Sequence, residues 1–202
     1  MGCDIHLYVE EKVGNIWKCI GTSNYSVCKK IPTLTTPSDR NYGLFNILAG
    51  VRGEDESPLH KEKDLIPNDL SNHVRKEWDG WECDAHSLRV YSLSELISFN
   101  WNGPINRNGY VPSDEYDKWK NERTECPEFY CGDVGGGHTK KISEYDYLSS
   151  KEKALLDSKL GYYVYCEWKV SYKYYAKEFI EYIQELQSKQ KGDIRLIMWF
   201  DN

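Results

Sequence analysis

From Cys3 to Glu10 apolar and polar residues alternate without a break, with Cys3, Ile5, Leu7 and Val9 on one side and Asp4, His6, Tyr8 and Glu10 on the other. A period of two predicts a half-buried strand over 3–11. Val13, Gly14 and Asn15 read as a turn and residues 16–20 resume strand character, so the chain opens with a β-hairpin. A Pro/Thr/Ser stretch over 33–39 ends in a helix-start signal at Ser38 or Asp39. Tyr42, Phe45, Leu48 and Ala49 then fit a helix within residues 40–50, with Gly50 as its C-terminal cap. Arg40 falls at the start of that helix and Arg52 just beyond its end.

Residues 53–85 are polar and broken, with His60, His73 and the Trp78-Asp79-Gly80-Trp81 run, and read as a long loop. Ser92 and Glu95 form a capping box that opens a short helix to about Phe99. Another helix is expected over 113–122 with Ser113 as its cap, and one more from Ser149-Ser150-Lys151-Glu152 to Gly161. Residues 162–172 read as a strand, residues 173–191 as an amphipathic helix ended by Gly192, and residues 194–200 as a strand covered on both faces. Strand, helix and strand suggest a β-α-β unit, parallel if both strands share one sheet. The expected fold is α+β (or α/β). It is a single domain over 1–202 with a mixed central sheet, the N-terminal hairpin, the C-terminal β-α-β unit and helices packed on the sheet. Residues 52–92 and 123–145 are expected to be long loop insertions.

Composition narrows the function classes. The chain has 202 residues, 40% hydrophobic and 29% charged, with 16 Tyr and 7 Trp. Tyr and Trp fill a core and also stack on ligands. A net charge of −6 argues against non-specific nucleic-acid binding, which needs a positive field, but allows a small anion held by a few arginines. No stretch reads as a membrane span or a secretory signal. The Met-Gly-Cys start lacks the Ser or Thr at position 6 that myristoylation wants, since His6 stands there. Seven scattered cysteines fit a reduced, cytoplasmic setting.

Four groups of residues carry candidate chemistry. Asp4 and His6 suit a cation or a proton transfer, as in the D-x-H of binuclear metallophosphatases, but only Gly132-Asp133 and Gly137-His138 faintly echo the downstream motifs of such sites. Asp84, two residues before His86, could orient that imidazole as a general base beside Ser87. Neighbouring His and Ser side chains rarely point at each other, so a nucleophilic Ser87 is weak. Cys126, Cys131 and His138 are three possible zinc ligands, with Cys83 or His73 as a fourth, and Gly135 to Gly137 form a glycine-rich loop without the Lys-Ser/Thr of a P-loop. Arg40, Arg52 and Arg195, with Trp199 as an aromatic plate, suit a phosphate and a base. If the last strand neighbours the first, Arg195 and Trp199 flank Asp4 and His6. Plain alternatives accompany each group: a solvated strand face, a helix-entry loop, a flexible loop and surface salt bridges.

The opening Met-Gly-Cys-Asp-Ile-His, Arg40-Asn41-Tyr42 through Leu48-Ala49-Gly50-Val51-Arg52, His86-Ser87 and the ending Arg195 to Asn202 resemble a family of uncharacterised bacteriophage and prophage proteins. The resemblance covers about a third of the chain and implies a phage setting, hence the host bacterial cytoplasm, and no established activity. By analogy with small phage accessory proteins, the expected function is counter-defence: capture of a small anionic, nucleotide-like ligand on the polar face of the first strand, sequestering a host immune signal. That site would use Asp4, His6, Arg40, Arg52, His86, Ser87, Arg195 and Trp199. One alternative is a phosphodiesterase-like hydrolase, metal-dependent or acid/base, using Asp4, His6 and His86. Another is an inhibitor acting through a protein surface. A divalent metal and homo-oligomerisation stay open.

Overall fold

The computed structural model describes residues 2–22, 34–37, 39–53, 59, 66–81 and 83–201. His60 and Ser38, singled out above, lie outside them. The fold is mixed α+β, and the chain divides into two compact units, Met1–Trp101 with Tyr175–Asn202, and Asn102–Tyr174.

The first unit is built on a sheet of order β3-β2-β1-β8-β4. Strand β1 (Ile5–Val13) turns at Gly14 into β2 (Ile16–Thr22), as the alternation predicts. The short β3 (Leu34–Thr35) runs parallel to β2. Strand β8 (Ile194–Phe200) lies between β1 and β4 (His86–Ser92), antiparallel to both, and all seven of its residues are buried. Helix α1 (Tyr42–Ala49) is capped by the side chain of Asn41, not by Ser38 or Asp39, and ends at Gly50 in the left-handed conformation. The Arg89 guanidinium and the Tyr91 hydroxyl, on β4, donate to the Ala49 and Leu48 carbonyls. Those carbonyls belong to the helix end that most needs donors. The capping box of Ser92 and Glu95 opens α3 (Leu93–Ser98) as expected.

Two expectations are corrected in this unit. Much of the segment 52–92 is ordered structure: it holds α2 (Asn72–Trp81) and β4. Val74, Trp78 and Trp81 recur along α2 at helical spacing, and Ser71 accepts from the Val74 amide, but the charged residues between them dilute the apolar stripe. This helix covers the face of β1 that carries His6, Tyr8 and Glu10, so that face is core and not solvent: the three residues are 1%, 0% and 0% exposed. Alternation marks which residues share a face, but the polar face is wet only when nothing packs on it.

The second unit carries a sheet of order β5-β7-β6. Strands β5 (Pro104–Pro112) and β7 (Gly161–Ser171) are antiparallel, and β6 (Thr139–Ser143) runs parallel to β7. Helix α4 (Ser113–Glu122) follows β5, with Pro112 and not Ser113 at its cap position and no side-chain cap. Helix α5 (Glu144–Glu152) is capped by Ser143, so the Ser149 to Glu152 stretch ends a helix and does not start one. Residues 123–145, expected as a loop insertion, contain β6 and the start of α5. The long helix α6 (Tyr172–Lys189) buries Ala176, Phe179, Ile183 and Leu186 at the expected spacing. The strand–helix–strand order at the C-terminus holds. The condition for parallel pairing is not met, because β7 and β8 belong to different sheets and β8 pairs only with β1 and β4 among the described strands.

Candidate functional site

The register Ile5 opposite Phe200 opposite His86 brings the start of β1, the end of β8 and the start of β4 to one end of the first sheet. Six of the residues singled out from the sequence gather around this end: Asp4, His6, Arg40, Arg52, His86 and Ser87. Asp4 grips Arg40 with two hydrogen bonds, from Nε at 2.6 Å and from Nη2 at 2.8 Å. That pairing holds its carboxyl below the usual carboxylate range. The Arg40 guanidinium lies against the Gly2 Cα so closely that a Cβ at Gly2 would stand 2.5 Å from Nη1. From the far end of α1, Arg52 donates through Nη2 to the Gly2 carbonyl at 3.3 Å. Cys3 is buried beside it, and burial raises the thiol pKa despite the Arg52 charge. Through Gly2 and Asp4 the start of the chain therefore ties both ends of α1 to the first strand.

Asp201, not among the candidates that the sequence singles out, also belongs to this end and shares the alternation of Arg195 and Trp199. Its Oδ2 sits 3.2 Å from His6 Nε2, and its Oδ1 accepts the Asp4 backbone N–H at 3.0 Å. His6 lies under the Trp81 ring, 4.2 Å between centroids. Burial lowers the imidazole pKa below 6.5, outweighing the opposite pull of Asp201, so the ring is neutral near pH 7.

His86 Nδ1 meets Ser87 Oγ at 3.0 Å. The expectation that neighbouring His and Ser side chains diverge fails here for a backbone reason. Ser87 has φ +55°, which breaks the strand alternation and shifts the register between His86 and Arg89. Asp84, expected to orient His86, lies exposed in the preceding turn with the Cys83 thiol as its hydrogen-bond partner. Arg52, with φ +59°, is a second left-handed non-glycine residue at this end of the sheet. Such conformations cost about 1–3 kcal/mol each and collect at functional sites.

Two sequence candidates take other parts. Trp199 stands opposite His6 but is fully buried, stacked on Tyr8 at 4.6 Å and edge-on to Trp78 at 5.4 Å. It is a core residue under α2 and not a ligand plate. Arg195 stands opposite Glu10, toward the other end of β8. It donates to the fully buried Glu10 carboxylate from Nε at 2.8 Å and to Asp69 from Nη1 at 2.9 Å, with the Trp17 ring 4.1 Å away. Removing one partner of such a buried pair costs about 3–5 kcal/mol, and the Arg195 guanidinium is already engaged by two carboxylates. Arg195 also borders a cleft of about 510 Å³ with Trp17, Ser92, Gln187 and Lys191.

The remaining motifs do not assemble. Among the described residues no three His, Cys, Asp or Glu side chains come together as a metal-holding group. Cys126 is buried, Cys131 turns its thiol toward the Tyr110 carbonyl, and His138 is exposed. Among the described residues no helix is long and apolar enough to cross a membrane. Comparison with protein-family models, with curated proteins and with solved structures finds no match.

Proposed function

We propose that the sheet end around Gly2, Asp4, Arg40, Arg52, His86 and Ser87 binds a small phosphate-bearing, nucleotide-like anion. The observation that carries this reading is the pair of exposed arginines, drawn from opposite ends of α1 onto the Gly2–Asp4 segment. A guanidinium fork serves carboxylate and phosphate with the same bidentate geometry, so Asp4 holds Arg40 in the pose that a phosphate would take over. The left-handed backbone at Arg52 and Ser87 supports a site at this end. In the phage setting that the sequence resemblance implies, such a protein sequesters a host signalling nucleotide.

A second reading, acid/base hydrolysis of the same ligand, draws on the His6–Asp201 contact and the His86–Ser87 pair. A neutral imidazole beside a carboxylate is equipped to accept a proton. One experiment addresses both. Titration calorimetry with ADP-ribose, a cyclic dinucleotide and pyrophosphate should give saturable binding that Arg52→Ala weakens at least about tenfold, the equivalent of one lost charge-assisted contact. The nucleotide is then recovered after denaturing the protein. Intact recovery supports capture, and turnover abolished by His86→Ala supports hydrolysis. Absence of binding by all three ligands would overturn both.

A further inference from the structure

The second unit packs its helices on one face of its sheet only. Trp119 of α4 meets Trp168 of β7, and Tyr147 of α5 meets Tyr116 of α4. Along β7 burial alternates residue by residue: Tyr162, Val164, Cys166, Trp168 and Val170 are buried, while Tyr165, Glu167 and Lys169 are exposed. On the open face the register sets Tyr110 opposite Tyr165, Asn108 opposite Glu167 and Asn106 opposite Lys169. The Tyr110 and Tyr165 rings touch edge-on at 5.4 Å, and Lys141 of β6 reaches over Tyr110 at 5.2 Å. Next to this tyrosine pair, along the same two strands, lies a cleft of about 440 Å³ lined by Asn106, Arg107, Asn108, Glu167, Trp168 and Lys169.

We propose that this open face binds a neutral oligosaccharide. A sugar ring has an apolar C–H side and a rim of hydroxyls. The negative face of a tyrosine ring attracts polarised C–H groups, and tyrosine adds a hydroxyl of its own. Each sugar hydroxyl both donates and accepts, so it needs donors and acceptors in equal supply. Two amides, a carboxylate, an ammonium and the Arg107 guanidinium in one cleft supply both. On the open face Lys169 is offset by Glu167 and Lys141 pairs with Asp133, and Arg107 adds one positive charge to the cleft. A nucleic acid would need an extended positive surface, which one surplus guanidinium does not supply. The cleft volume falls within the roughly 300–1,000 Å³ of small-ligand sites. This site belongs to the second unit and does not depend on the anion reading of the first.

The test is amide NMR titration of the full chain with maltohexaose, cellohexaose and chitohexaose, each to about 10 mM, well above the millimolar dissociation constant of a weak site. A heparin hexasaccharide and a short oligo-dT serve as polyanion comparisons. At least one neutral saccharide should shift resonances along β5 and β7. Tyr165→Ala should weaken that binding about tenfold, roughly the loss of one stacked aromatic, whereas Tyr165→Phe and Tyr145→Ala, on α5, should retain it. If Tyr165→Ala unfolds, the shift map of the unaltered protein decides alone. The proposal is overturned by no shift with all three neutral saccharides, by shifts located elsewhere, or by tighter binding of either polyanion.

Discussion

His6 is held neutral inside the first sheet, and its titration couples folding to pH. Its pKa in the fold lies below the ordinary 6.5 because burial disfavours the imidazolium, and Asp201, Asp4 and Glu77 compensate only partly. Between the folded value and 6.5 the unfolded chain therefore binds more protons than the native one. Stability from this residue is complete above 6.5 and is lost as pH falls through 6.5 toward the folded value. Urea unfolding followed by tryptophan fluorescence should give a midpoint that drops between about pH 8 and about pH 5, and His6→Gln should flatten that drop. An unchanged slope in the variant would assign the pH response to other groups.

At the scale of elements, α1 is the piece on which the candidate site hangs, and its own seat depends on a missing side chain. Gly43 faces the Tyr175 ring of α6 so closely that a Cβ there would run into the ring, while Asn41 at the helix start donates to the Tyr175 carbonyl at 2.6 Å. Alanine normally improves a helix by about 1 kcal/mol over glycine. Here overpacking reverses the sign, and Gly43→Ala should destabilise by about 1–3 kcal/mol. A urea midpoint equal to or above that of the unaltered protein would show that the helices part without cost. The hairpin, α1, the capped α3, α6 and β8 were legible from the sequence because each has a strong period and its own stop signal. Helix α2 was not, since only Val74, Trp78 and Trp81 mark its apolar stripe amid charges. The same gap hid the fate of the polar strand face. Gathering Arg40, Arg52, His86 and Asp201 around Asp4 and His6 depends on strand order, which local pattern does not encode. Arg195 and Trp199 look like ligand groups in sequence because burial, too, is a property of the assembled sheet.

On the scale of the whole molecule the chain order matters more than any single element. The first unit is discontinuous: its interior strand β8 follows the second unit in the chain, since Asn102–Tyr174 intervene before the chain returns to the first. The intervening unit begins and ends at one place. The Tyr172 amide donates to the Gly103 carbonyl at 2.9 Å, and Pro104 stands opposite Ser171. Adjacent ends are what make an inserted domain removable. Replacing residues 104–171 by two glycines should leave the first sheet folded, because β1, β8 and β4 keep all their partners and Tyr8, Trp78 and Trp199 keep their packing. Near-UV circular dichroism reads that aromatic cluster directly, and its loss in the shortened chain would mean that the first unit cannot hold its core alone. If the core persists, the shortened protein separates the two ligand assignments in one preparation. Anion binding at the sheet end should survive, since Gly2, Asp4, Arg40, Arg52, His86 and Ser87 all lie outside the excised segment. Saccharide binding should vanish with Tyr110 and Tyr165. Loss of anion binding from a chain whose first sheet is demonstrably folded would move the anion site away from the end of β1, and with it the meaning of the opening hexapeptide.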